Sequence, residues 1–327
     1  MKKILLATTA LTLSAGVAAA DVTVSGDARM GIAYNGNAQD EFRMDSRMRA
    51  RIGFSGETDS GMAFGGNFRI DQAPNAASGN MGNAASLVYI SGAFGRLEMG
   101  DTAGAVQGAV GDLHGVGLTG LGFNNENTFL RRNFGGSVTN STGTNALYTY
   151  SIDALTVHAS IGQLNNRTGP TDMFGTLALP ANANSNVYGI GARYAFDGFA
   201  VGAGIERADI GSVNIDHAAI AGEASFDMVT VRATYGQLFS DGKGAFAADN
   251  QFGMSVSSTF DATTINAYAR RDFAKDTHFG LGASYDLGAG ARLMGGVRYT
   301  DFDDSTTARA AGNSSQTVAD FGIAFSF

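Results

Sequence analysis

Residues 42–55 read FRMDSRMRARIGFS, and the character of their side chains alternates along the chain. One face of the predicted element carries Phe42, Met44, Met48, Ala50, Ile52 and Phe54, and the other carries Arg43, Asp45, Arg47, Arg49, Arg51 and Ser55. A period of two places successive side chains on opposite faces of a β-strand. The stretch therefore predicts a strand with one apolar face and one charged face.

The same alternation recurs from Val22 to the end of the chain at Phe327. Together with less regular runs near 84–92, 146–152 and 217–226, it predicts about sixteen strands. Short turns such as 197–198 and 288–290 alternate with longer polar loops near 35–42, 71–84, 163–186, 207–217, 237–250 and 300–316. An even strand number, with short turns at one end and long loops at the other, is typical of outer-membrane barrels. We therefore expect an all-β fold, a sixteen-stranded antiparallel transmembrane β-barrel.

The width of such a ring decides which face meets water. Sixteen strands enclose more space than side chains can fill. The charged rows are therefore expected to line an aqueous lumen, and the apolar rows to face lipid or a neighbouring subunit. Because a membrane barrel has no free edge, the first and last strands should pair. We expect this pairing to bring Asp21 and Phe327 close enough for an ion pair between the two termini.

Residues 101–146 interrupt the pattern. This long stretch shows no sustained alternation and is rich in Gly and Asn. A loop of such length inside a compact domain is normally functional. Because the predicted barrel leaves its lumen open, we expect this third long loop to fold inward. Within it, residues 115–120 spell GVGLTG, the dinucleotide fingerprint, but the strand and helix that this motif requires are missing from the pattern.

Residues 1–20 have the composition of a cleaved signal peptide, with Lys2 and Lys3 before an apolar run and alanines at the end. We therefore expect export and a mature chain of one domain, residues 21–327. Loss of the two lysines changes the formal charge from −8 to −10, which excludes a nucleic-acid binder. The chain has no cysteine, so it has neither a disulfide framework nor a thiol nucleophile.

Several short motifs are distributed over the whole predicted mature chain. They are GDARMG at 26–31, TDSG at 58–61, SGAFG at 91–95, EMGD at 98–101, LYTYS at 147–151, GASYDLG at 282–288 and a last strand that ends in Phe. Together they resemble the Rhodobacter-type general diffusion porins of the bacterial outer membrane. The resemblance implies a homotrimer of sixteen-stranded barrels in outer-membrane lipid. It also implies that the third loop narrows each barrel to an eyelet, through which ions and small hydrophilic solutes pass.

In that family, arginines of the wall face carboxylates of the inward loop. The resemblance, together with the alternation, assigns the eyelet to Arg29, Arg47, Arg49, Arg69, Asp101, Asp112 and Glu126, with Arg43 and Arg51 as secondary wall residues. The loop has fewer acidic residues than is usual in the family, and Arg131 and Arg132 follow them. We therefore expect a pore with a weak anion preference or almost no selectivity.

Other candidate sites have less support from the sequence. Asp301, Asp303 and Asp304 offer oxygen ligands for calcium, but they lack the pattern of an EF-hand loop. Calcium is thus a candidate ligand, and no cofactor is required. The histidines lack the spacing of zinc ligands: His114, His158, His217 and His278.

The function classes differ in what they need from the lumen. An enzyme would need a nucleophile and a base in reach of each other, and the sequence shows no such pair. A solute-specific outer-membrane channel, for anions or sugars, would need a ladder of basic or aromatic residues along the pore. The predicted wall arginines cluster at one height, so the sequence favours a general diffusion pore and leaves the specific channel as the alternative.

Overall fold

The computed structural model describes residues 21–72, 81–131, 144–164, 185–210, 213–241, 243, 248–304 and 312–327. The predicted signal peptide and Arg132 lie outside these residues. The described strands, sixteen in number, close into one antiparallel barrel. The expected fold class is confirmed.

The strands follow one another around the barrel in chain order. They are β1 (Asp21–Asn35), β2 (Phe42–Glu57), β3 (Ala63–Gln72), β4 (Met81–Gly92), β5 (Gly95–Gly100), β6 (Asn145–Ile152), β7 (Leu155–Leu164), β8 (Ser185–Phe196), β9 (Phe199–Ile210), β10 (Val213–Phe226), β11 (Val229–Ser240), β12 (Asn250–Phe260), β13 (Thr263–Arg271), β14 (Thr277–Gly288), β15 (Ala291–Asp301) and β16 (Ser315–Ser326). One short helix, α1 (Ala105–Val110), lies between β5 and β6. Within the described ranges, no helix is long and apolar enough to cross a membrane.

Tight turns join the strands at one end of the barrel. Asp153, Asp227 and Asp261 begin three of them, with φ values of 51°, 51° and 49°. Aspartate tolerates this left-handed conformation better than most residues, because its short side chain can hydrogen-bond locally. These turns define the short-turn end, and the connection that follows β5 starts at the opposite end.

The long loop expected near 207–217 is replaced by paired strand. β9 and β10 remain in register as far as Ile210 and Val213, so only residues 211–212 join them. Arg207 and Asp216, which the prediction placed in this loop, face each other across the two strands, with Nε and Oδ1 2.6 Å apart. The prediction of a loop here is wrong, because the ion pair extends the hairpin.

β1 and β16 close the barrel. The Gly26 N–H donates to the Phe327 carbonyl at 2.7 Å, and the Phe327 N–H donates to the Gly26 carbonyl at 3.0 Å. Phe327 therefore pairs with Gly26, which lies roughly 17 Å along β1 from Asp21. The expected pairing of first and last strands is confirmed, whereas the expected ion pair between the termini is wrong.

The two faces of the wall differ as the alternation predicted. On β2, Met44 is 89% exposed on the outer face, whereas the next residue, Asp45, is 6% exposed on the inner face. On β1, Val24 is 71% exposed on the outer face. The outer surface is thus apolar and the inner surface charged, which is the arrangement of a barrel that faces lipid outside and water inside.

Candidate functional site

The segment that follows β5, of which the structure describes residues 101–131, enters the barrel and runs along its inner wall. We call it the constriction loop. Its first part contains α1, which the alternation did not predict and which packs against β7–β10. Val106 of α1 and Phe129 of the returning chain are buried together with Ala219 and Ala221 of β10. The loop therefore shares a small apolar core with the wall.

Two glycines of the wall allow α1 to lie directly on the strands. A Cβ on Gly202 of β9 would lie 2.0 Å from the carbonyl oxygen of Ala109. A Cβ on Gly191 of β8 would lie 2.7 Å from the carbonyl oxygen of Ala105. Glycine inside a strand often marks such a close backbone approach. These positions therefore fix how far α1 stands from the wall.

Beyond α1 the loop crosses β11, β12 and β13. Each strand binds one backbone group of the loop through a polar side chain: Arg232 the carbonyl of Asp112 (2.6 Å), Ser255 the amide of His114 (3.1 Å) and Asn266 the carbonyl of Gly115 (2.8 Å). Irregular backbone away from water must find such partners, because each unsatisfied group is costly.

The tip of the loop reaches the last strand. Asp320 of β16 accepts the N–H of Leu118 at 2.9 Å, the N–H of Thr119 at 2.6 Å and the Thr119 hydroxyl at 2.7 Å. Hydrogen bonds to charged groups contribute about 1.5–3 kcal/mol each. Asp320, which is 6% exposed, is therefore the anchor of the tip. Sequence reasoning missed it, because it is one of many polar residues on the inner face.

The returning half of the loop is held at β12 and β9. Gln251 accepts the N–H of Thr128 at 2.9 Å and donates to its carbonyl at 2.6 Å. Glu206 accepts the N–H of Leu130 at 2.7 Å and also binds Nδ1 of His217 at 2.8 Å. The loop is thus attached along both halves to strands from β6 to β16, and at its tip the Leu118 carbonyl also accepts a hydrogen bond from Arg29 of β1 at 3.5 Å. The inner faces of β1–β5 otherwise remain beside the open lumen.

All wall arginines assigned to the eyelet lie on this open part of the wall. Their partners are aspartates of the wall: Arg29 binds Asp45 (2.6 Å), Arg47 binds Asp27 (3.1 Å), and Arg49 (3.3 Å) and Arg69 (2.6 Å) bind Asp71. The family resemblance implied carboxylates of the loop as partners, and Asp101 of the loop does interact electrostatically with Arg69. Arg43 and Arg51 are exposed on the same inner face.

The three carboxylates expected from the loop are spread along it. Asp101 lies 3.7 Å from Arg131, also of the loop. Asp112 accepts the backbone N–H of Asn127 at 2.7 Å and so joins the two halves of the loop beside β11. Glu126 precedes Asn127 on the returning half and is partly exposed. The structure therefore does not bring the three loop carboxylates together.

A second charged group on the inner wall was missed. Glu223 of β10 binds Nη2 of Arg193 on β8 at 3.0 Å and Nε of Arg232 on β11 at 2.9 Å. We call these three residues the Glu223 triad. The alternation in the sequence could have shown that these residues face the lumen, because each lies between outward-facing apolar neighbours such as Tyr194 and Val231.

The histidines are scattered in sequence but lie around the constriction loop. His114 belongs to it, and its Nδ1 lies 2.9 Å from the Ser255 hydroxyl. His278 lies 2.9 Å from the side-chain amide of Asn124, and His217 binds Glu206, which holds the returning half. A Cβ on Gly108 of α1 would lie 3.2 Å from Nδ1 of His158. These residues support the loop.

The calcium candidates lie at the long-loop end, in and after β15. The Asp303 N–H donates to the carboxylate of Asp276 at 2.8 Å. Burial, and then the charge of neighbouring aspartates, raises the pKa of Asp276 to about 6. Among the described residues, which include Asp301, Asp303 and Asp304, no group of three or more His, Cys, Asp or Glu side chains is arranged to hold a metal ion. Calcium binding stays a prediction without support from the geometry.

A closed barrel with an inward loop and a charged lumen is the architecture of a diffusion channel. The family model described as Gram-negative porin matches residues 7–305. The chain belongs to the Gram-negative porin family. The porin of Rhodobacter capsulatus is 34% identical to it, over 94% of this chain and 100% of the relative. The porin of Fuscovulum blasticum is 25% identical over the same shares of the two chains, 94% and 100%.

Solved structures agree with this assignment. A porin structure refined at 1.8 Å resolution is 33% identical, covers 94% of this chain and 100% of its own, and superposes with a TM-score of 0.72. A triple mutant of Rhodopseudomonas blastica porin, 22% identical, has a TM-score of 0.70 over 94% and 100% of the two chains and supports the fold alone. As a Gram-negative porin, the chain is a general diffusion channel of the outer membrane and not an enzyme.

Gly202→Ala should push α1 away from the wall and into the lumen, because the added Cβ meets the Ala109 carbonyl. We expect the barrel to fold and its single-channel conductance to fall and become noisier. Gly222→Ala on β10 is the matched control, because no atom lies within 4 Å of the added Cβ. Equal conductance in both variants would show that α1 does not rest on Gly202.

Proposed function

We propose that this porin, after removal of residues 1–20, forms a homotrimer whose pores pass small hydrophilic solutes with a weak preference for anions. Membership of the porin family supports the passage of ions and solutes. The charge of the open wall supports the sign of the preference. The short strands β5 and β6 support the trimer.

The anion preference rests on one observation: four wall arginines share three aspartates. The paired aspartates are Asp27, Asp45 and Asp71, and Arg43 and Arg51 add further positive charge on the same face. In a narrow lumen walled by protein, such a surplus is screened less than on an open surface, where the Debye length is about 8 Å. Anions should therefore be enriched beside β1–β3.

The trimer is supported by the height of the wall. β5 has 6 residues and β6 has 8. At about 3.4 Å per residue and a tilt of about 45°, six residues rise roughly 14 Å, less than the apolar band of about 25 Å that faces lipid in such barrels. Outward apolar residues such as Val88 and Met99 are nevertheless exposed, at 55% and 47%. A neighbouring subunit would cover this low wall, and we therefore place the subunit interface at residues 84–92, 94–101 and 146–152.

Arg47→Ser combined with Arg49→Ser should shift the reversal potential toward cations, because two positive charges leave the open wall. The measurement is the reversal potential of the reconstituted channel under a potassium chloride gradient. Arg207→Ser is the control, because it removes the same kind of charge from the outer face. A clear cation preference of the parent channel would contradict the proposal, and conductance that saturates with one anion or sugar would favour a solute-specific channel.

Unheated detergent electrophoresis should show a species near three times the monomer mass that collapses on boiling. Replacing Met99 by Arg should weaken it, because a charge would enter the apolar contact between subunits. Phe279→Arg on the far side of the barrel is the control for general damage. A monomer at all protein concentrations after gentle extraction would contradict the trimer.

The proposed cleavage after residue 20 is tested separately by the N-terminal sequence of the mature protein. A mature N-terminus other than Asp21 would contradict it.

A further inference from the structure

The Glu223 triad connects three strands of the inner wall. Glu223 and Arg232 face each other directly in the register of β10 and β11. Arg193, in contrast, lies two strands away from Glu223, which corresponds to about 9.5 Å between strand axes. Its guanidinium nevertheless lies 3.0 Å from the carboxylate. The side chain of Arg193 must therefore cross β9.

The inner face of β9 is small where Arg193 crosses it. Ala200 is the register partner of Glu223, and Gly202 is the register partner of Arg193. Neither residue has a side chain larger than a methyl group, so the guanidinium passes over the strand. One carboxylate thus binds two arginines, each through a different oxygen.

The triad lies between α1 and the short-turn end of the barrel. Gly191 of β8 touches α1, and Arg193 is the next lumen-facing residue toward the turn that follows Phe196. The side chains of the triad remain in contact with solvent, with exposed fractions of 25% for Arg193, 23% for Glu223 and 17% for Arg232. An ion in the lumen can therefore approach them.

We propose that the Glu223 triad is a second charge-selective site of the pore, separate from the arginines of β1–β3, and that it acts on small anions. Glu223 offsets two arginines, so its charge sets how positive this part of the lumen is. The neighbouring charged and titratable groups are His114 and Asp112 of the constriction loop. The inference rests on the proposed anion preference and adds a second place where that preference is set.

Two substitutions test the triad, because they should shift the reversal potential in opposite directions. Glu223→Gln leaves the two arginines without their carboxylate and should shift the reversal potential toward anions. Arg193→Gln removes one positive charge and should shift it toward cations, whereas Arg193→Lys should leave it at the parent value. Arg193 is the better arginine to change, because Arg232 also binds the constriction loop.

The ion pair between Arg207 and Asp216, on the outer face of the β9–β10 hairpin, supplies matched controls. Asp216→Asn and Arg207→Gln make the same charge changes on β10 and β9, but outside the lumen, and should leave the reversal potential unchanged. Unchanged reversal potentials in both triad variants, or shifts in the same direction, would overturn the inference. This outcome is distinct from failure of the anion preference, because the opposite shifts are expected even if the parent channel prefers cations. Heat-dependent electrophoretic mobility verifies that each variant is folded.

Discussion

A backbone that enters a barrel without forming a strand needs hydrogen-bond partners wherever it is packed away from water, and the inner face of this porin supplies them. Its constriction loop begins after β5 and reaches β16, where Asp320 accepts two backbone N–H groups and a hydroxyl. Between these points, Arg232, Ser255 and Asn266 each bind one backbone group. Several polar residues of β9–β16 thus hold the loop, whereas the arginines and aspartates of β1–β3 pair mainly with one another.

This division explains where the pore lies. The loop lies against strands from β6 to β16, and α1 can lie close to the wall because Gly191 and Gly202 have no side chain. The remaining wall, β1–β5, borders the lumen and carries ion pairs between its own strands. These ion pairs join residues of the wall, whereas Asp101 lies beside Arg131 and Asp112 binds within the loop.

The alternation in residues such as 42–55 predicted the barrel, the faces of its strands and the positions of the wall arginines, because a period of two is a local property of the chain. Contacts between distant segments were not predictable in the same way. Nothing local identifies Asp320 as the anchor of a loop some two hundred residues earlier, or Glu223 as the partner of two arginines. The predicted loop near 207–217 was also wrong, because Arg207 and Asp216 pair across two strands there.

The most direct test of this account is whether the loop tip is attached to β16 in the conducting channel. The chain has no cysteine, so Thr119→Cys with Asp320→Cys would create a single possible disulfide. Because the Thr119 hydroxyl lies 2.7 Å from the Asp320 carboxylate, we expect the bridge to form under mild oxidation and the bridged channel to keep the parent conductance. Failure to form the bridge, or a bridged channel with clearly different conductance, would contradict the proposed position of the loop.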